Sequence, residues 1–175
     1  MNRWKRRRGF EVVAGLILLI FYSACSENPN PESNVPPGAL GPLKTITLTM
    51  GGVEVETEVA RTETEQQQGL MYRESMPENH GMLFVYPEPR YMFFWMKNTK
   101  IPLAIAFIRE DGVVGNIEEM KPAAGPFDPL EHYASKYKSR FALEMNRGWF
   151  ERHGVKEGDR IEIPLEAIQR LGEGP

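Results

Sequence analysis

Thr45-Ile46-Thr47-Leu48-Thr49-Met50-Gly51-Gly52-Val53-Glu54-Val55-Glu56-Thr57-Glu58-Val59-Ala60 decides the fold. Ile46, Leu48 and Met50 alternate with polar residues, and Val53, Val55 and Val59 repeat the pattern beyond the glycine pair. A period of two puts one set of side chains on one face of a sheet. A Gly-Gly pair between two such runs marks a two-residue hairpin, because the favoured turns need positive φ. The folded part of the chain therefore opens as antiparallel sheet.

The same reading extends toward the C-terminus. Thr62-Glu63-Thr64-Glu65 fits a capping box that opens a short helix to about Leu70. Segments 82–86, 91–96, 103–108, 113–120, 140–145 and 160–163 have the composition of strands, with Asp111-Gly112 as a turn. Segment 122–137 reads as a long loop. Asn146 is expected to cap a short helix through Trp149 and Phe150 that stops at Gly154, and Pro164 to start a last helix. The count predicts a mainly β domain over residues 44–171, a sandwich or partly closed barrel with two or three short helices, and a flexible tail at 172–175.

The N-terminus reads as an address. Residues 1–24 hold five basic groups and one acid, which leaves 16 basic against 23 acidic residues and a net charge of −7 for the rest. That sign is wrong for coating a phosphate backbone, so nucleic acid is not an expected partner. Val12 to Ala24 is uncharged and apolar or small, the length of a signal h-region and short of the ~20 residues that span a bilayer. Tyr22-Ser23-Ala24-Cys25 resembles a lipobox, although the pattern prefers Leu where Tyr22 stands. Cys25 is the chain's one cysteine and is expected to be the lipidated first residue of the mature protein. Ser26 after it resembles the sorting signal for an outer membrane. The expected location is extracytoplasmic and membrane-anchored, at the periplasmic face of an outer membrane or the cell surface if the source has two membranes. Residues 26–43, with five prolines and no apolar periodicity, are expected to form an extended tether.

Three motifs carry a resemblance: Gln68-Gly69-Leu70-Met71-Tyr72-Arg73, Gly81-Met82-Leu83-Phe84-Val85, and Phe94-Trp95-Met96-Lys97-Asn98-Thr99 followed by Ile101-Pro102-Leu103. With Leu143-Glu144-Met145-Asn146-Arg147-Gly148 and Gly158-Asp159-Arg160, they resemble domain-of-unknown-function family 192 of bacteria and archaea. The resemblance implies a jelly-roll-like β-sandwich and no established activity. The chain departs from the family at Gln68, often Arg, and lacks the cysteines that some relatives carry in the long loop.

Chemical candidates are few. His80, His132 and His153 show no metal-ligand spacing, and no cofactor is implied. Ser135 and Ser139 lack a nucleophile motif and read as loop residues. The many methionines read as core filler. Trp95 with Lys97 and Asn98 could form an aromatic platform with a polar rim, against the plainer reading of Trp95 as core and the other two as turn residues. Arg73 could clamp a carboxylate, in a ligand or internally at Glu144 or Glu118. Arg73, Trp95, Lys97, Asn98 and Glu144 are therefore the expected ligand-binding residues. The leading expectation is a non-enzymatic binding or assembly module for an envelope glycan or protein. The alternatives are an envelope enzyme acting on a sugar or peptide through Glu118, Glu119 and Glu144, and a purely structural interaction domain.

Overall fold

A computed structural model describes residues 40–122, 129 and 131–172. The expected signal segment, Cys25, tether residues 26–39, part of the long loop and the last three residues lie outside them.

The opening alternation becomes strands β1 (Thr45–Met50) and β2 (Val53–Ala60), paired so that Met50 faces Val53 across the turn. Gly51 and Gly52 have φ of +56° and +76°, the double positive φ of the tight hairpin. Ile46, Leu48, Met50, Val55 and Val59 point to one face and are buried. Thr62 caps helix α1 (Glu63–Gln68) with the expected reciprocal box to Glu65. α1 then carries the chain across to β3 (His80–Arg90), which runs parallel to β2.

The remaining elements are β4 (Phe93–Trp95), β5 (Leu103–Ile108), β6 (Val114–Met120), β7 (His132–Ala134), β8 (Ser139–Asn146), α2 (Trp149–Arg152) and α3 (Leu165–Arg170). Six strands form one mixed sheet in the order β1-β2-β3-β8-β5-β6, while β4 and β7 form a separate antiparallel ribbon. The large sheet is open, with β1 and β6 at its edges. The fold is thus mainly β and sandwich-like, with three short helices, and is not closed into a barrel.

Both faces of the sheet are covered, which explains why all six residues of β5 are buried. On one face Leu83, Ala106, Leu143 and Met145 pack with Trp149, Phe150 and Ile168 of the later helices. On the other, Met82, Phe84, Ile105 and Phe107 pack beneath Leu70, Met92 and Met96. Phe94 of the ribbon meets Phe84 and Phe107 edge to face, with ring centroids 4.9 and 5.8 Å apart.

Four expectations change. The segment 122–137 is not all loop: His132, Tyr133 and Ala134 pair with Trp95, Phe94 and Phe93. Segment 160–163 makes only one bridge, Arg160 to Val113, before Pro164, which lacks an N–H, turns the chain into α3. Asn146 does not cap α2; Gly148 does, at φ +72°, and the Asn146 amide donates to the carbonyls of Met76 and Pro77. The end of the expected tether lies against the domain. Leu43 donates its N–H to Glu58 and packs on the second core, and Leu40 exchanges two hydrogen bonds with the Gln68 side chain.

The hairpin turn gives a sharp test. A Cβ on Gly51 would sit 2.3 Å from the His153 carbonyl oxygen, whereas one on Gly52 would meet open space. Both positions carry the positive-φ penalty of about 1 kcal/mol. Gly51→Ala should therefore destabilise the domain clearly more than Gly52→Ala in urea unfolding. Equal losses would mean that the turn does not rest on the α2 loop.

Candidate functional site

Strand register builds the site. Glu58 of β2 pairs with Met82 of β3, Met82 with Glu144 of β8, Glu144 with Ile105 of β5, and Ile105 with Glu118 of β6. Residues directly opposite share a face, so three carboxylates lie in one row on the second face, separated by apolar side chains. Their surroundings set them apart. Glu58 takes a bidentate ion pair from Arg73, at 2.5 and 2.7 Å. Glu118 accepts from the Asn116 amide at 3.1 Å. Glu144 is 5% exposed, and among the described residues no hydrogen bond or ion pair reaches its carboxyl group.

Burial without a partner favours the neutral acid. It pushes Glu144 from 4.5 up to about 8. At neutral pH the group is therefore mostly a carboxylic acid, one O–H donor beside one acceptor. The Tyr86 hydroxyl is also raised, first by burial and further by Glu144, while Arg90 acts in the opposite direction.

Glu144 lines a cleft of about 380 Å³ between α1 with its following turn, the end of β3, and β4. Six aromatic side chains share the lining: Phe84, Tyr86, Tyr91, Phe93, Phe94 and Trp95. Core packing does not account for three of them, since Tyr91 is 55%, Phe93 71% and Trp95 47% exposed. The α1 wall is fixed by the Gln66 amide, which donates to the Val85 carbonyl at 2.9 Å. Gly69 ends the helix at φ +49°, where a side chain would press on the Phe84 ring at 3.2 Å. Arg90, over the Tyr86 ring at 5.4 Å, and Glu63 are the other charged lining groups.

Of the expected site residues, Trp95 and Glu144 come together in this cleft. Arg73 does not join them; its internal partner is Glu58, not Glu144 or Glu118, and the pair pins the loop after α1 to β2. Asn98 is a turn residue at φ +55°, holding Tyr72 through its carbonyl and its amide. Lys97 is exposed beside it and outside the cleft lining. Phe93 is the most exposed large hydrophobic residue among the described residues, at 71%. Glu119 pairs with Arg147 on the opposite face of β6, so Glu118, Glu119 and Glu144 do not form one catalytic set. Ser135 accepts the Met92 N–H, and Ser139 donates to the Tyr137 carbonyl. His153 stacks on Trp149 at 4.1 Å, His132 lies by Trp95 and His80 by Glu56. Among the described residues no metal-ligating group of three is present. Tyr86, Tyr91 and Glu63 escaped the sequence reading, although Tyr91, Phe93 and Trp95 alternate along one short run.

These features define a mainly β, sandwich-like domain with an aromatic cleft over one sheet face. The chain belongs to family DUF192, described as “Uncharacterized ACR”, which it matches over residues 46–163. No curated protein matches it. Two solved structures are similar. One is a candidate transcription regulator from Sinorhizobium meliloti 1021, 35% identical at a TM-score of 0.62, over 71% of this chain and 97% of that one. The other is a protein of unknown function from Novosphingobium aromaticivorans DSM 12444, 34% identical at a TM-score of 0.62, over 74% and 91% of the two chains.

Glu144 makes stability depend on pH. Between about 4.5 and about 8 the folded chain keeps a proton that the unfolded chain gives up. Stability should therefore fall as pH rises through that window and level off above it. Glu144→Gln removes the titrating group. Between pH 5 and 8 the wild type should lose on the order of a few kcal/mol relative to this variant, read from denaturant midpoints. Parallel pH profiles would show a solvated carboxyl.

Proposed function

We propose that this chain is a ligand-binding module, anchored to a bacterial membrane outside the cytoplasm by a lipid on Cys25, whose cleft takes part of an envelope glycan or protein. One observation carries the binding reading: three exposed aromatic side chains border a cleft whose wall holds a buried acid without a hydrogen-bond partner among the described residues. Rings left open to water supply stacking area at low entropic cost, and a carboxyl group in the cleft wall gives a ligand a polar contact. The location rests on the signal-like segment before Cys25. Among the described residues no helix is long and apolar enough to cross a membrane. Regulation at nucleic acid, which the description of the Sinorhizobium relative would bring, fits poorly with a net acidic chain beyond residue 24.

A second reading is favoured by Glu144 itself. A carboxyl group protonated at neutral pH is suited to general acid catalysis. The enzyme reading needs a second carboxylate, and among the described residues Glu63 is the other acid in the lining. Under that reading Glu144→Gln would keep ligand and lose turnover.

Trp95→Ala tests the binding reading. The ring is 47% exposed, so the variant should unfold within about 1 kcal/mol of wild type while losing most of its binding in titrations with envelope glycan fragments and peptides. A loss of about 3–5 kcal/mol would make Trp95 a packing residue. The anchor has its own test. Cells labelled with a fatty-acid analogue should mark the wild type and not Cys25→Ser; equal labelling would remove the anchor from the proposal.

A further inference from the structure

Resting on that binding reading, we infer that the cleft is built for an organic cation, an alkylammonium group that enters the aromatic wall while Glu144 releases its proton to solvent. Three observations converge. Six aromatic residues line one opening, and three of them, Tyr91, Phe93 and Trp95, keep about half or more of their surface in water. Ring faces attract ammonium groups, most strongly where water is excluded. Glu144 is 95% removed from solvent, and among the described residues it has no cation to balance it and no donor to hold its anion. The described residues place a carboxyl group where its charged form requires a counter-ion and supply none. A neutral sugar hydroxyl would satisfy one hydrogen bond there, whereas an ammonium supplies the missing charge as well.

The surrounding charges fit. On β3, Tyr86 and Arg90 face this region; on α1, Glu63 does; Phe93 and Trp95 on β4 are uncharged. Along the same row Glu58 of β2 is neutralised by Arg73, and Glu118 of β6 lies beyond Ile105. Arg90 is exposed, with its guanidinium over the Tyr86 ring rather than on Glu144. Once Glu144 ionises, the lining holds two acids and one base. The step is a proton balance: the acid O–H gives its proton to solvent, and the carboxylate then faces the bound cation.

The test uses the full chain in detergent, with choline, butylammonium and N-acetyl-lysine methylamide as cations. The neutral probes are 3,3-dimethylbutanol, which copies choline without its charge, and N-acetylglucosamine. Calorimetry in two buffers of different ionisation enthalpy reads proton release, and the part of the tryptophan fluorescence change that Trp95→Ala removes reads occupancy. At least one cation should bind at pH 7 with proton release. Choline has no proton of its own to lose, so its affinity should rise by up to about tenfold per pH unit between pH 6 and 8 and flatten above. Glu144→Gln should weaken cation binding by about tenfold or more, and Trp95→Ala should weaken it with Glu144 still present. Which cation binds separates a lysine side chain from a free amine or a choline group. Neutral probes binding as tightly as the cations, without proton release, would overturn the inference and leave the binding reading standing. Cation binding unchanged in Glu144→Gln, or no cation binding at millimolar concentration, would also overturn it.

Discussion

The structure depends on what strand β8 does at the centre of the sheet. β8 pairs with both β3 and β5, so its two faces serve two separate cores. Phe141, Leu143 and Met145 enter the layer sealed by α2 and α3, while Ala142 and Glu144 enter the layer under the ribbon. Period-two geometry leaves no other arrangement: if Leu143 and Met145 are in one core, Glu144 between them must point into the other. The buried acid is thus a consequence of register, and the second layer has to tolerate it. That layer tolerates it by leaving a cleft beside it instead of closing over it.

Much of the frame was legible because local rules and tertiary packing agree there. The hairpin at Gly51-Gly52, the Thr62 cap and strand β5 each follow from a short sequence signal that the fold does not contradict. The failures have one physical origin. His132-Tyr133-Ala134 is too short to show alternation and becomes a strand only because β4 offers its edge. Asn146 has a helix-capping side chain, yet two carbonyls from a loop about seventy residues earlier in the chain capture it. In each case a long-range partner outweighs the local preference.

The site was half legible. Trp95 stood out as a large ring beside polar residues, and it does line the cleft. Arg73, Lys97 and Asn98 stood out for the same polar chemistry but act in the frame or at its surface. A guanidinium near a turn is as useful for fastening a loop as for gripping a ligand, and only the position of Glu58 decides between these roles. Glu144 was named for its charge, but its significance is its isolation. Sequence spacing does not show isolation, because the residues around Glu144 in space come from β3, β4, β5 and α1.

The two faces of the sheet show why a cleft forms on one of them. The first face is closed by helices that bring Trp149, Phe150 and Ile168 down onto it, all nearly free of solvent contact. The second is covered by short elements, a pair of three-residue strands and the turn after a six-residue helix, with Leu70, Met92, Met96 and Ile101 from the adjoining loops. A cover of that size leaves part of the face open, and the gap falls between α1 and β4. Three aromatic residues beside the gap keep about half or more of their surface in water, and the central acid has no partner among the described residues. A domain shaped only for stability would fill that space with aliphatic side chains and place a leucine at position 144. Retaining an open aromatic rim and a destabilising acid together is the pattern expected where the missing contacts are made by something other than the chain itself.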